Sequence, residues 1–572
     1  MNIFESYLKE ILSLIKKNQN KLNLNEINNF KGINLGIPPV NFNEDLSSNI
    51  CMVLAKINKL NPNELAKKVQ ALIKANIKDF KDVKIAGPGF INIDLSNDAL
   101  VKIINKIFKD SSNFGSFNSN FKFNIEFVSA NPTGPMHVGH CRGAIFGDVL
   151  SNLLKFNGNK VTKEYYINDY GNQIRNFVKS VYLRIREIKY KEKFKDEKDL
   201  YPGEYIRDIA QKILTNNNLK FDSFEKSFDF LAKEALNYSM DMIKSDLTKL
   251  GIIHDSFVSE KSIVDSDGVI NAIKQLKKTK HIEEGYLEPP KGEENKDWKK
   301  IKRLIFKSTL FGDDSNRALQ KNDGSWTYFA NDLAYHFNKV SRKYDKLINI
   351  LGADHTGYVK RIEGAVLALS GNKTSLECKV CQLVKLFKKG KPFKMSKRAG
   401  EFISVNDLLN EVSRDSIRFM MLNRSNDVEL EFDFEKVLEK SKENPVYYVQ
   451  YCHARIQSIL RMINFKVENK TTIKKIDVNF NKYEKDILKK IFEWPKILRI
   501  ASIKFEPHRI PFYLYQLATL FHSYWSKGNE DEKYKFIKDG KVNNNIIIII
   551  QLILIVLQNG MKILNVSLPN KM

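Results

Sequence analysis

FKFNIEFVSANPTGPMHVGHCRGA, residues 121–144, is the stretch on which the reading of the chain turns. Phe121, Phe123, Ile125 and Phe127 alternate with Lys122, Asn124 and Glu126, the period of two that marks a strand. Asn131-Pro132-Thr133-Gly134-Pro135 then interrupts regular structure, because proline fixes φ and glycine admits sharp turns. Beyond it Ile145, Val149, Leu150, Leu153 and Leu154 recur at helical spacing, so the order is strand, turn, helix. The turn carries His137 and His140, with Gly139 between them. At a helix start two such imidazoles face one side, where unpaired N–H groups favour a phosphate. Gly139 leaves the backbone open to an adenine or ribose. The same pair could be surface histidines or ligate zinc, although no third ligand lies at helical spacing.

A second cationic element stands far downstream. Lys394-Met395-Ser396-Lys397-Arg398 lies between Gly390 and Gly400. Alone it is a solvated basic loop. Paired with the histidine turn, it supplies what triphosphate chemistry needs: imidazoles on one side of the phosphates and lysines on the other.

HVGH and KMSKR resemble the HIGH and KMSKS motifs of the class I aminoacyl-tRNA synthetases. The HIGH-type run Ala130-Asn131-Pro132-Thr133-Gly134-Pro135-Met136-His137-Val138-Gly139-His140 is similar to that of the arginyl-tRNA synthetases. So are GADHTGYVKR (352–361), FKMSKRAG (393–400) and NPVYYVQYCHARIQSI (444–459). The resemblance spans most of the chain from about residue 85 onward. It implies a multidomain α/β protein: a Rossmann-type core with a parallel sheet, an N-terminal α+β additional domain and a C-terminal all-α anticodon-binding domain. The expected boundaries are 1–110, 111–435 with a helical insertion near 175–255, and 436–572.

The implied reaction joins arginine to ATP as arginyl-adenylate and transfers it to the 3′ adenosine of tRNA(Arg). By resemblance, His137, His140, Lys394 and Lys397 are catalytic. Gly139, Gly352, Asp354, His355, Met395 and Ser396 bind ATP. Glu126, Ser129, Asn131, His137, Tyr328, Asp332 and Glu260 line the arginine pocket. Tyr328 and Asp332 are four apart in GSWTYFANDLAYHFNK (324–339), so on a helix they would project together, and a tyrosine beside a carboxylate suits guanidinium. The alternatives are a catalytically inactive tRNA-binding paralogue and a class I synthetase of another specificity. KMSKR ends in arginine where the class has serine. Both lysines are present, although many arginyl members lack the first.

Composition sets wider bounds. A chain of 572 residues should hold roughly three domains. Lysine and arginine exceed acids by 93 to 67, a balance that suits a polyanion such as tRNA. Lysine, asparagine and isoleucine crowd the whole chain, however, as an AT-rich coding bias would also produce. The five cysteines, an odd and sparse set, read as reduced thiols in a cytoplasmic protein. Cys378-x-x-Cys381 lacks a second pair or nearby histidine, so no zinc and no resident metal are expected; Mg2+ would come with ATP. No signal peptide and no membrane association are expected, and the chain is read as a monomer. IIIIIQLILIVL (546–557) reads as a buried core helix, its twelve residues being too few to span a bilayer.

Overall fold

The computed structural model describes residues 2–25, 30–39, 41–194, 197–217, 219–287, 301–393, 403–465 and 479–572. They form two compact units: residues 118–438, and residues 1–117 together with 439–572.

The unit 118–438 is built on a five-stranded parallel sheet. Its strands are β1 (Lys122–Glu126), β2 (Lys160–Ile167), β3 (Ser256–Ser259), β4 (Lys346–Gly352) and β5 (Ser375–Cys381), side by side in the order β5-β4-β1-β2-β3. Helix α1 (Val138–Phe156) makes the crossover from β1 to β2. Helix α2 (Tyr328–Ser341) precedes β4, and α3 (Val359–Ser370) joins β4 to β5. Helices on both faces explain why β4 is nearly all apolar, with Leu347 and Ile348 fully buried. After β3 the order jumps back across β1 to β4. At such a switch point the loops leaving two neighbouring strands diverge and open a crevice at their C-terminal ends. Here the crevice lies between Glu126 and Gly352.

Between β2 and β3 runs the expected helical insertion: Asn172–Tyr190, Glu204–Asn216 and Phe224–Lys249. It has its own core, including Phe177, Val181, Ile206, Ile213 and Leu231. Two small sheets had no counterpart in the sequence reading. One is antiparallel (Ile282–Gly285, Arg303–Phe306, Arg317–Ala318) and the other joins Val384–Lys388 to Lys391–Pro392 and Leu430–Asp433. Strands of two to five residues are too short to display a period.

In the other unit a four-stranded antiparallel sheet (Leu35–Gly36, Leu46–Ser48, Phe90–Leu95, Phe80–Ala86) packs with N-terminal helices. The C-terminal part is a bundle of Pro445–Met462, Lys482–Lys504, Arg509–Glu530 and Asn544–Leu564. The purely helical expectation needs one correction, a hairpin at Ile537–Lys538 and Lys541–Val542. The two parts are stitched together. Fully buried Trp494 donates its indole N–H to the Phe114 carbonyl (3.0 Å), Asn559 donates to Ser111 O (2.8 Å) and Arg499 pairs with Glu5. The isoleucine-rich helix is 21 residues long rather than twelve, enough by length and composition to cross a bilayer, yet it lies mostly buried in the bundle.

Candidate active site

The chain leaves β1 through two left-handed residues, Val128 (φ 72°) and Ser129 (φ 38°). For a β-branched valine this is strained, and such strain gathers where a site demands an abrupt change of direction. The turn brings the Ser129 hydroxyl back to donate to Glu126 Oε1 (3.0 Å), while Ser129 Oγ accepts from the Tyr166 N–H (3.1 Å). Asn131 accepts from Asn168 Nδ2 (3.1 Å), and Tyr165 donates to the Ala130 carbonyl (2.8 Å). The loop then reaches His137, the N-cap of α1.

His137 and His140 form a reciprocal cap. Gly139 N–H donates to His137 Nδ1 (3.1 Å), and His137 N–H donates to His140 Nδ1 (3.3 Å). The rings stack 3.8 Å apart. A ring nitrogen that accepts carries no proton, so each imidazole bears its hydrogen on Nε2. Burial lowers both pKa values, and for His140, with His137 adding to it, down to about 3. The pair therefore presents neutral N–H donors at the helix start, beside the switch point. A Cβ at position 139 would lie 2.9 Å from the His137 ring, so Gly139 is needed for the cap itself, besides any approach of a base.

Several elements hold this turn. Asp246 of the insertion accepts from Met136 N–H (3.1 Å), and residues 403–405 run antiparallel to it, with Val138 N–H donating to Ile403 O (2.9 Å). Buried Arg142, two residues past His140, donates to the carbonyls of Gln382, Val428 and Ser425 (2.7–2.9 Å). Arg142→Met should destabilise this unit by about 3 kcal/mol, because three acceptors lose a charged donor. Chemical denaturation of wild type and variant would measure it, and an unchanged midpoint would mean that the carbonyls find other donors.

Across the crevice lies an acidic pocket. Asp332 on α2 accepts the Tyr358 hydroxyl, Glu260 accepts from Asn331 Nδ2 (3.1 Å), and Asp169 accepts from Ser259 Oγ (2.6 Å). Burial, with Glu260, Asp332, Glu126 and Asp169 around it, pushes the Tyr166 hydroxyl far above its usual range. Its ring stacks on Tyr335, 4.0 Å away. Burial, with Glu260 and Glu126 adding repulsion, holds Asp332 up at about 7 against the Tyr358 hydrogen bond. Burial likewise raises Glu260. Among the described residues neither Asp332 nor Glu260 has a salt-bridge partner.

The structure departs from the sequence reading at Tyr328. Tyr358, not Tyr328, meets Asp332. Tyr328 is the first residue of α2 and 74% exposed, with Lys321 Nζ 5.7 Å from its ring. Helical side chains lean toward the N-terminus, and at the first position no preceding turn lies beneath to direct the ring. Tyr166 and Tyr358 are additions to the expected set; the apolar strand YYI and the run GADHTGY carried no mark of their roles. Gly352 ends β4, and a Cβ there would meet Asp354 Oδ1 at 2.6 Å. Asp354 and His355 are exposed neighbours, 3.3 Å apart. Lys394, Met395, Ser396 and Lys397 lie outside the described residues. Among the described residues no group of three or more His, Cys, Asp or Glu side chains is placed to hold a metal ion.

A parallel sheet with neutral imidazole donors at its switch point is the nucleotide-binding plan of one class. The family model for tRNA synthetases class I (R), catalytic domain, matches residues 103–460. An arginyl tRNA synthetase N terminal domain matches residues 8–95, and a DALR anticodon binding domain residues 449–572. The chain is thus a class I aminoacyl-tRNA synthetase. Curated relatives named arginine–tRNA ligase, from Pelagibacter ubique (52% identical) and Bartonella bacilliformis (42%), match over the full length of both chains. The solved Thermus thermophilus arginyl-tRNA synthetase shares the fold: TM-score 0.72 at 17% identity, over 99% of this chain and 100% of that one. Within its class, this chain belongs to the arginyl-tRNA synthetase family.

Proposed function

We infer that this enzyme is an arginine–tRNA ligase, on the support of one observation above others: Asp332 and Glu260, which have no salt-bridge partner among the described residues, stand together by the Tyr166 hydroxyl in the same unit as the histidine-capped helix. A guanidinium is planar, permanently charged and rich in donors, so it suits such a receptor better than an ammonium does. Asp332 and Glu260 bind it, with Tyr358 orienting Asp332 and Tyr328 at the open edge. Glu126, Ser129 and Asn131 border the rest of the amino acid.

The arginine carboxylate attacks the α-phosphorus of ATP; the bond to the β-phosphate oxygen breaks and pyrophosphate leaves with the electron pair. The Nε2–H groups of His137 and His140 donate to α-phosphate oxygens as charge shifts there. Gly139, Gly352, Asp354 and His355 receive the adenosine. Lys394 and Lys397, flanking Met395 and Ser396, neutralise the β- and γ-phosphates. Mg2+ would accompany ATP in this scheme, held mostly by its phosphates and water. A ribose hydroxyl of the tRNA 3′ adenosine then attacks the adenylate carbonyl, expelling AMP. The N-terminal and C-terminal segments bind tRNA, and the protein acts in the cytoplasm as a monomer.

ATP–pyrophosphate exchange with each of the twenty amino acids, with and without tRNA, tests the reading. Exchange with arginine alone is expected. Exchange with another amino acid would overturn the pocket assignment, and none at all from folded protein would leave an inactive tRNA-binding paralogue.

A further inference from the structure

Helix α2 carries a lysine where its packing calls for an apolar residue. Asp332, Tyr335, His336 and Lys339 fall at i, i+3, i+4 and i+7, one stripe of a helix. Lys339 is completely buried, at 0% exposure. A buried ammonium is costly unless paired and hydrogen-bonded, and a leucine or methionine would fill the place without that cost. Its partners are Glu126 Oε2 at 2.5 Å and Asn349 Oδ1 at 3.0 Å, and it stands 4.4 Å from the centre of the Tyr335 ring.

The hydrogen bonds from this ammonium run in one consistent direction. Lys339 donates to Asn349 Oδ1, so the Asn349 amide turns its NH2 to His336 Nε2 (3.0 Å). His336 must then carry its proton on Nδ1, which donates to the Asp332 carbonyl at 2.8 Å. Burial and the nearby ammonium keep His336 neutral, its pKa lowered to about 4, as this arrangement requires. Each group has one role and no alternative tautomer serves. The chain of bonds begins at Glu126 and ends at the turn that presents Asp332.

We propose that Lys339 is a positioning residue for arginine recognition: its buried ammonium pairs with Glu126 and orients it and, through Asn349 and His336, fixes the turn that carries Asp332. The inference rests on the arginine-ligase reading and adds to it the group that sets the charge of the pocket. With Glu126 neutralised from within, Asp332 and Glu260 remain for the incoming cation. Asp332 faces Tyr358 and Arg361 from the α3 side, Glu260 from the segment after β3, and Glu126 from β1. Around Lys339 and Glu126 stand Tyr335, His336, Glu164 and Cys378. Glu164 is already paired with Arg342, so Lys339 is the cation that answers Glu126.

The test is the arginine dissociation constant of the full-length enzyme, by calorimetry across pH, with the ATP KM as control. Lys339→Met should weaken arginine binding about tenfold, leave the ATP KM within about twofold, and raise the pH midpoint of binding by about one unit. Glu126→Gln should move the midpoint down by about one unit, because Asp332 loses the repulsion of that carboxylate while the buried ammonium keeps its charge. The double variant Glu126→Gln/Lys339→Met should return it near the wild-type value. A purely structural role would not move the midpoint in opposite directions. If Lys339→Met fails to fold, Glu126→Gln against the double variant still decides: one shared midpoint overturns the proposal. Arginine binding by wild type without a pH step also overturns it. No arginine binding at all removes the functional reading, and this inference with it.

Discussion

His140→Asn should slow adenylate formation by about 10²- to 10³-fold, the usual effect of removing one aimed donor from a site where charge develops. Asparagine places its Oδ1 near the position of Nδ1, so it can still accept the His137 N–H and keep the reciprocal cap. It has nothing at the position of Nε2. His140→Gln reverses the bargain: it reaches the Nε2 position with an N–H but surrenders the cap, so it should retain more of the rate and less of the stability. Pre-steady-state pyrophosphate release and thermal denaturation on both variants would separate the roles. A near-normal rate for His140→Asn would remove the imidazole from phosphate chemistry. The pH dependence adds a check. The folded pKa of about 3 lies below the ordinary 6.5, so between these values the unfolded chain binds a proton that the folded chain does not. Stability contributed by His140 is therefore intact above pH 6.5 and falls as pH drops toward 3. The rate itself should show no His140 ionisation near neutrality.

Local patterns in the sequence were enough for half of the crevice. The alternation in residues 121–127, the Pro-Thr-Gly-Pro interruption and the helical spacing after it place the histidines at a helix start, and the structure puts His137 at the N-cap. The run GADHTGYVKR, 352–361, which begins where β4 ends, was legible only through its resemblance. That the two ends adjoin depends on strand order, which no local period encodes. The acidic pocket was legible only in part. Asp332 and Glu260 stood out as acids, but Tyr358 reaches Asp332 from 26 residues away and Tyr166 reads as an ordinary strand residue. Lys339 shows the limit most clearly. In the pattern it is a basic residue near a helix C-terminus, where lysine is expected on the surface for the dipole alone; its complete burial follows from Glu126, which sits 213 positions earlier.

Asp332→Asn should raise the arginine KM by about two to three orders of magnitude and leave the ATP KM within about twofold, since a desolvated carboxylate–guanidinium pair loses one of its charges. The side chain keeps its shape and one acceptor for the Tyr358 hydroxyl, so the loss reads charge rather than packing. In wild type, arginine requires the ionised carboxylate, and the free enzyme holds Asp332 at about 7. Arginine affinity should then fall about tenfold per pH unit below neutrality, with a proton released on binding. In Asp332→Asn that slope should flatten. Stability moves the other way. The folded pKa of about 7 lies above the ordinary 3.8, so the folded chain holds a proton that the unfolded chain has lost, and stability declines as pH rises from 3.8 to 7. Above 7 the penalty is complete, and Asp332→Asn should melt higher than wild type at pH 8 in the absence of arginine. Saturating arginine should reverse the order, because it binds the folded wild type alone with high affinity. A variant with unchanged arginine KM would remove Asp332 from the pocket. One that loses affinity without gaining stability at pH 8 would mean that Asp332 is already compensated in the free enzyme.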